Sequence, residues 1–313
     1  MEKYRKFSDA GTSCNPFLPI NVVKPKPESS LMLWLRVSLM SLLAIARLPL
    51  LLASGILIIV TDVLGMIPLV SPFLIRPLMR PIIVWVTLFL MGILCPLKQR
   101  PKDFRRLRMK RPGTDIASAS VQLAVFHGFI DVLVHAVASR PSFFVLQSLD
   151  GKFIVNRSVS GAIFTALRSP ASVGPVARFP LPKGSLLFLH AVPSNGLGIL
   201  SVSEDLVTAA CRGQSVQLVS VKYSVLGTHY PHHLVDSPLV HVLKLLTLNW
   251  VSTANVVCLP EPLEISDHQS VSEIKVFMAR LYGGAETSLD QSMYLEFIAY
   301  WLETRSLTYA KKR

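Results

Sequence analysis

Two residues in the run Ala124-Val125-Phe126-His127-Gly128-Phe129-Ile130-Asp131 have the types and the spacing to do chemistry. The pattern predicts His127 at the end of a strand and Asp131 in the first turn of the helix that follows. A carboxylate set against one imidazole nitrogen fixes the tautomer and the ring orientation. The other nitrogen then keeps its lone pair and can take a proton from a hydroxyl as that oxygen attacks. A strand-end histidine beside a capping or first-turn aspartate is the structural alternative, and the spacing alone leaves both open. The other histidines read differently. His229-Tyr230-Pro231-His232-His233 lies on a proline-bent stretch with no obvious carboxylate beside it, so no metal site is predicted. His135 falls four residues after Asp131 on the same helix face, where it is a second imidazole within reach. His190 ends an apolar strand and reads as structural, with a second polar group in the site as the alternative. No glycine-rich nucleotide loop or G-x-S-x-G elbow is present in the sequence.

The elements that must position this pair begin after Pro112-Gly113. Short β-rich runs are predicted at Val121–Phe126, Ser142–Gln147, Ser185–Ala191, Val216–Tyr223 and Val251–Leu259. Helical patterns lie at Ile130–Ala138, Val159–Leu167 and Leu239–Leu248. Strands alternating with helices imply an α/β domain. The continuous apolar character of Ser185–Ala191 suits a central strand covered on both faces. Ser270-x-x-Glu273 and Ser288-x-x-Gln291 have the form of capping boxes opening two final helices. The second of these would carry Leu289, Tyr294, Phe297, Ile298, Trp301 and Leu302 on one packing face.

Ahead of this domain the chain is greasy. An apolar run spans Leu31–Val60, with Arg36, Arg47 and Pro49 inside it, and a second spans Pro81–Leu97. Eight Lys/Arg against one acid follow between Lys98 and Arg111. Such runs seek hydrocarbon, and a cationic segment beside them seeks anionic headgroups. Arg36 is close enough to the start of its run to snorkel, and a helix that breaks near Pro49 and returns accommodates Arg47. The expectation is a membrane-embedded hairpin with both basic flanks on one side. Four segments follow: an irregular cytosolic tail at 1–30, the hairpin at 31–97, a basic interfacial linker at 98–112 and an α/β domain at 113–313. Only 16% of the residues are charged, as suits a surface that partly faces lipid. The net charge of +13 is compatible with nucleic acid or membrane, but aromatics are not interleaved with the basic residues, which argues against nucleic acid. Cys14, Cys95, Cys211 and Cys258 are far apart and form no CxxC, so neither a zinc knuckle nor a disulfide framework is predicted.

An apolar hairpin, a basic run, then strand, histidine, helix and aspartate in an α/β domain resembles the glycerolipid acyltransferase family. That family carries N-H-x4-D and, further along, F-P-E-G-T-R. Within it the chain is most similar to the fungal lysophosphatidic acid:oleoyl-CoA acyltransferases. The likeness lies in Met1-Glu2-Lys3-Tyr4, Pro16-Phe17-Leu18-Pro19, Lys24-Pro25, Glu261-Pro262, Leu281-Tyr282-Gly283-Gly284 and the stretch Asp290–Leu302. It implies a mixed sheet flanked by helices, as in glycerol-3-phosphate acyltransferases, behind the membrane hairpin. It also implies transfer of an acyl chain from acyl-CoA to lysophosphatidic acid, giving phosphatidic acid for glycerolipid and triacylglycerol synthesis. His127 would be the base and Asp131 its orienting carboxylate. The substrate phosphate needs cations or backbone donors. Arg168, Arg178 and Lys183 lie between the two motif regions, and Asn195-Gly196 matches the fungal relatives as a turn. Acyl-CoA is then a co-substrate, with no bound cofactor or metal. The partners are membrane lipids, lysophosphatidic acid and acyl-CoA rather than nucleic acid, and no oligomeric state is implied. The location is the endoplasmic reticulum membrane and lipid droplets, with the domain facing the cytosol.

The chain departs from the family at two places. Counted back from Asp131, the family histidine falls on Phe126, so His127 is one residue late. On a strand such a slip turns a side chain to the opposite face, whereas a loop can absorb it. In the second motif Glu, Gly and Thr are replaced by His190, Ala191 and Val192, with no evident phosphate-clamping arginine. These departures keep an alternative open: a catalytically inactive member of the fold that binds lipid or proteins at droplets.

Overall fold

The computed structural model describes residues 2–20, 29–67, 71–96, 100–101, 120–168, 179–202, 204–227, 229–232, 234–259, 262–264 and 268–310. The first apolar run forms one unbroken helix, α1 (Ser30–Leu64), 35 residues long, opened by the Ser29 hydroxyl accepting from the Met32 amide. The break anticipated at Pro49 does not occur. Proline removes one backbone bond, and the Leu- and Ala-rich turns on either side continue the helix across it. At 1.5 Å per residue α1 is about 52 Å long. Its buried positions form a narrow seam through Arg36, Met40, Ala44, Ser54, Ile58 and Asp62. Arg36 therefore packs inward rather than snorkelling. The rest of the surface, including Leu42, Ile45, Leu52 and Ile56, is exposed and apolar. A helix of a soluble core shows the reverse pattern, with its apolar face hidden. Among the described residues α1 is the one helix long and apolar enough to cross a membrane.

A π-helical stretch, Ser71–Met79, leads into α2 (Arg80–Leu90), which packs against α1. Helix α2 has 11 residues, and its Val84 and Leu88 enter the domain core. The Arg80 guanidinium meets the Asp62 carboxylate at 3.0 Å with both side chains buried, and the second Asp62 oxygen accepts from the Ser160 amide at 2.7 Å. Ser160 lies in the first turn of α4 (Val159–Arg168), so one buried carboxylate ties together three helices. Removing either member of a buried pair leaves an uncompensated charge and typically costs about 3–5 kcal/mol.

The domain is α/β, built on a mixed sheet flanked by helices. Its strands are β1 (Ile93–Leu94), β2 (Arg100–Pro101), β3 (Val121–Ala124), β4 (Phe143–Gln147), β5 (Phe153–Asn156), β6 (Ser185–Phe188), β8 (Ser215–Gly227), β9 (Asn249–Cys258) and β10 (Leu263–Glu264). The main order is β1-β9-β8-β3-β6-β4-β5, with β10 added to β8 and β2 to β9. Strands β8, β3, β6 and β4 run parallel, while β5 and β9 close the parallel set with antiparallel pairings. The sheet thus takes in β1 and β2, earlier than the boundary predicted at residue 113. Most of the basic run lies outside the described residues. Strand β7 (Gly198–Ile199) pairs separately with β11 (Ala285–Glu286).

One face of the sheet is covered by α2, α3 (Phe129–Ala138), α4 and α6 (Pro238–Leu248), around a core that includes Phe126, Ile130, Phe144 and Phe188. The other face packs α5 (Glu204–Cys211) and α7 (His268–Tyr282) over Leu123, Leu187 and Leu218. A third core joins the N-terminal segment to α8 (Met293–Ala310). Tyr4 lies 5.3 Å from Trp301 and Phe7 lies 5.3 Å from Phe297, ring centre to ring centre. Residues 2–20 are therefore not a free tail. Their aromatic residues bury more apolar surface against α8 than solvent exposure would allow. Neither predicted capping serine falls at the start of its helix. Ser270 lies inside α7, and Ser288 and Gln291 precede α8. The Ser288 amide and hydroxyl instead donate to Asp9, and Gln291 bridges the Ala191 amide and the Ser201 carbonyl.

Candidate active site

Strands β3 and β6 are adjacent and parallel, so the loops after both open on the carboxyl edge of the sheet. The helix after β3 returns the chain to β4, beyond β6, whereas β8 lies on the other side of β3. A crevice at such a switch point is where open α/β sheets place their ligands. Strand β3 ends at Ala124, so Val125–Gly128 is loop and not strand. Gly128 has φ 143°, a backbone that side chains resist, and it turns the chain directly into α3. Phe126 goes into the core against Phe188, at 5.3 Å between ring centres, and His127 turns the other way. His127 thus lies beyond the strand and leaves the β3 ladder undisturbed.

His127 Nδ1 lies 2.8 Å from Asp131 Oδ2, and the His127 amide donates to the same oxygen at 2.7 Å. Tyr223 donates its hydroxyl to Asp131 Oδ1 at 2.5 Å. Strand β8 explains this reach: Val219 pairs with Ala124 at the end of β3, and β8 runs on past that end against β9. His127 and Asp131 are both 1% exposed. Burial alone would raise the Asp131 carboxyl, but the His127 charge and the bonds from His127 and Tyr223 bring it below the ordinary value. An ionised carboxylate only accepts, so when the imidazole carries a single proton, that proton sits on Nδ1. His127 Nε2 then carries the lone pair. It is buried and has no hydrogen-bond partner among the described residues.

Three aromatic groups wall the imidazole: Tyr282, His232 and Tyr223, the last edge-on at 6.4 Å. Tyr282 stacks on His127 at 4.8 Å, and His232 presents an edge to it at 5.1 Å. His232 Nε2 and the Tyr282 hydroxyl are 3.2 Å apart. Tyr282 is the last residue of α7, and Gly283 follows it at φ +83° with its amide on the Ala279 carbonyl, which stops the helix there. Burial pushes both tyrosine hydroxyls well above their ordinary range, with the Asp131 charge adding to it. Burial pushes His232 down to about 3, and repulsion from His127 acts in the same direction. His190 is likewise lowered to about 3 by burial and by His127, with a backbone bond to Leu200 acting the other way. His135 is lowered to about 4 by burial, and its Nδ1 lies 2.9 Å from the Ser139 hydroxyl. A cavity of about 50 Å³, lined by Pro19, Ile20, His229, His232 and Trp301 among others, opens beside this wall.

The residues expected to hold a phosphate do not gather at this wall. Arg168 is exposed at the end of α4, with its guanidinium 4.0 Å from the Phe164 ring centre. Lys183 is exposed and precedes β6, at the opposite edge of the sheet from His127. Arg178 lies outside the described residues. Asn195 faces the N-terminal segment, its amide donating to the Asn15 and Leu18 carbonyls at 2.8 Å each. Gly196, at φ +72°, has no room for a Cβ because the Tyr282 ring lies against it. It shapes the wall by letting Tyr282 in.

Tyr223, Tyr282 and His232 were not singled out as site residues from the sequence. Leu281-Tyr282-Gly283-Gly284 stood out only as a resemblance, and the helix-stopping glycines after an aromatic were the available signal. Nothing local marks Tyr223, which acts across 92 residues. Among the described residues one group of metal-ligating side chains, His229, Asp236 and His241, stands in the loop and helix after β8. The arrangement around His127 can accept a proton in a water-poor setting and return it. The chain matches no protein-family model, no curated protein and no solved structure.

Proposed function

We propose that this chain is a membrane-bound, acyl-CoA-dependent acyltransferase that acylates lysophosphatidic acid, with α1 and the segment through α2 embedded from the cytosolic side as a hairpin. The observation that carries the reading is the buried His127–Asp131 pair with an unpartnered Nε2, set at a sheet edge in a protein that exposes an apolar helix. In this mechanism His127 Nε2 removes the proton from the free glycerol hydroxyl as that oxygen attacks the thioester carbonyl of acyl-CoA. The tetrahedral adduct collapses, the C–S bond breaks, and the CoA thiolate takes the proton back from the imidazolium. Asp131 stabilises the imidazolium without itself being protonated. Tyr223 holds the second carboxylate oxygen and so fixes the plane of Asp131. The exposed leucines of α1 keep the site at the headgroup plane, where both substrates present their polar ends.

A non-catalytic role at the endoplasmic reticulum or droplet surface is favoured by one observation: Asn195 and Gly196 hold structure instead of facing a ligand. The test offers labelled oleoyl-CoA to the full-length protein in micelles, with lysophosphatidic acid, lysophosphatidylcholine or glycerol 3-phosphate as acceptor. Labelled phosphatidic acid with the first acceptor supports the proposal. No product from any acceptor, in a protein that still partitions to membranes, supports the non-catalytic role. Replacing exposed Leu42 and Leu52 by lysine releases the chain from membranes in either case, because two charges then face hydrocarbon.

A further inference from the structure

We propose a second site, independent of acyl transfer: a divalent first-row metal ion, Zn²⁺ in class, bound by His229 Nε2, His241 Nδ1 and the Asp236 carboxylate. The three residues fall within one short stretch, on the chain just after β8, in the following loop and on α6. The sequence alone offered histidines without a carboxylate; the fold supplies Asp236 and brings in His241. One ligand atom from each lies within 4.8 Å of the others. His229 Nε2 and His241 Nδ1 face each other at 3.1 Å. Two nitrogens on one tetrahedral zinc, with bonds of about 2.0 Å, stand about 3.3 Å apart, so the two rings are already close to the required separation.

The surroundings orient the ligands. His241 Nε2 lies 3.1 Å from the Pro231 carbonyl and donates to it, which leaves the lone pair on Nδ1, aimed at His229. The Asn249 side chain accepts from the His229 amide and donates to the His229 carbonyl, fixing the backbone from which that ring projects. Asp236 is half-buried, and Lys244 sits on both of its oxygens at 2.7 Å. Metal binding draws one oxygen to the ion and leaves the other on Lys244, the usual outer-shell arrangement for a ligating carboxylate. The cavity of about 50 Å³ touches His229 and Asp236 and leaves room for a fourth ligand, a water molecule. Two imidazoles, a carboxylate and no thiolate favour zinc over softer ions. The ion would staple the end of β8 to α6 and stiffen the loop that carries His232 against His127.

The test uses full-length protein in micelles, dialysed against a chelator and titrated with Zn²⁺ in competition with a chromophoric chelator. The expected result is one ion per chain with a dissociation constant of about 1 μM or tighter. Asp236→Asn and His241→Gln should each weaken binding by at least about 10- to 100-fold. Co²⁺ should give tetrahedral visible bands without thiolate charge transfer. Zn²⁺ should raise the unfolding midpoint of the wild type and leave that of His241→Gln unmoved. Because Asp236 is half-buried, Asp236→Asn keeps the test open if His241→Gln fails to fold. The proposal is overturned by no stoichiometric binding, by binding that survives both substitutions together, or by binding that disappears in Cys14→Ser.

Discussion

The loops after β3 and β6 lie side by side on the same sheet edge, yet their polar residues do different work. After β3, His127 meets the Asp131 carboxylate because the loop Val125–Gly128 sends Phe126 into the core against Phe188 and the imidazole onto Asp131. After β6, the segment Leu189–Gly196 has been turned to structure. Its Ala191 amide is bound by Gln291, its Ser194 amide by the Phe126 carbonyl, and its Asn195 by the N-terminal segment. An acid–base pair needs only two atoms in contact, and a four-residue loop suffices to deliver them. A phosphate clamp needs several donors left unengaged, whereas this loop engages its Ala191 and Ser194 amides and its Asn195 side chain in anchoring other chain segments. One loop holds an imidazole–carboxylate pair while its neighbour serves as a brace.

Asp131→Asn should break the first loop most severely. An amide at this position lets the imidazole settle in the wrong tautomer, so the rate of acyl transfer should fall by about three to four orders of magnitude. The measurement is kcat at matched micelle incorporation, and a loss under tenfold would detach the carboxylate from the chemistry. Next comes the brace. Asn195→Ala strands the Asn15 and Leu18 carbonyls in a buried site and should cost about 2–4 kcal/mol in urea unfolding. It should leave KM for lysophosphatidic acid within about twofold, and a selective rise in KM would return Asn195 to the phosphate.

A smaller effect separates the two loops by pH. His190 is held near 3 in the folded protein and titrates at about 6.5 when unfolded. Stability is therefore complete above pH ~6.5 and declines as pH falls toward 3, by about 1.4 kcal/mol per pH unit for this residue. His190→Gln should remove that share of the slope between pH 6 and 4 in urea titrations, while an unchanged slope would mean that His190 is already charged in the fold. The smallest effects belong to Arg168→Ala and Lys183→Ala. Both side chains are exposed, so each should change stability by less than about 0.5 kcal/mol and KM by less than about twofold. A tenfold rise in KM for either would restore it to substrate binding.

Much of this architecture was legible because it is written locally. The strands Phe143–Gln147 and Ser185–Phe188 and the helix Phe129–Ala138 show their periods within a few residues, and the pairing of His127 with Asp131 spans a single turn. Strand β5 was missed although Asp150-Gly151 before it is a hairpin turn signal, with Gly151 at φ +74°. Tertiary contact overrode the rest. Residues 2–20 look like an irregular tail by their prolines and polar residues, but Tyr4, Phe7 and Phe17 find α8 nearly 290 residues away in sequence. Pro49 looks like a break by propensity, but cooperative helix on both sides carries the chain across it. Tyr223 and His232 are site residues only because β8 outruns β3, which no local pattern records.

The most direct test is the single-turnover rate of acyl transfer to lysophosphatidic acid by His127→Gln, compared with wild type in the same micelles. The loss of the proton-accepting Nε2 predicts a rate lower by about two to four orders of magnitude, measured on protein shown to be folded under the assay conditions. A variant that transfers acyl chains as fast as the wild type would contradict the account, because His127 would then be one more buried histidine at a strand end.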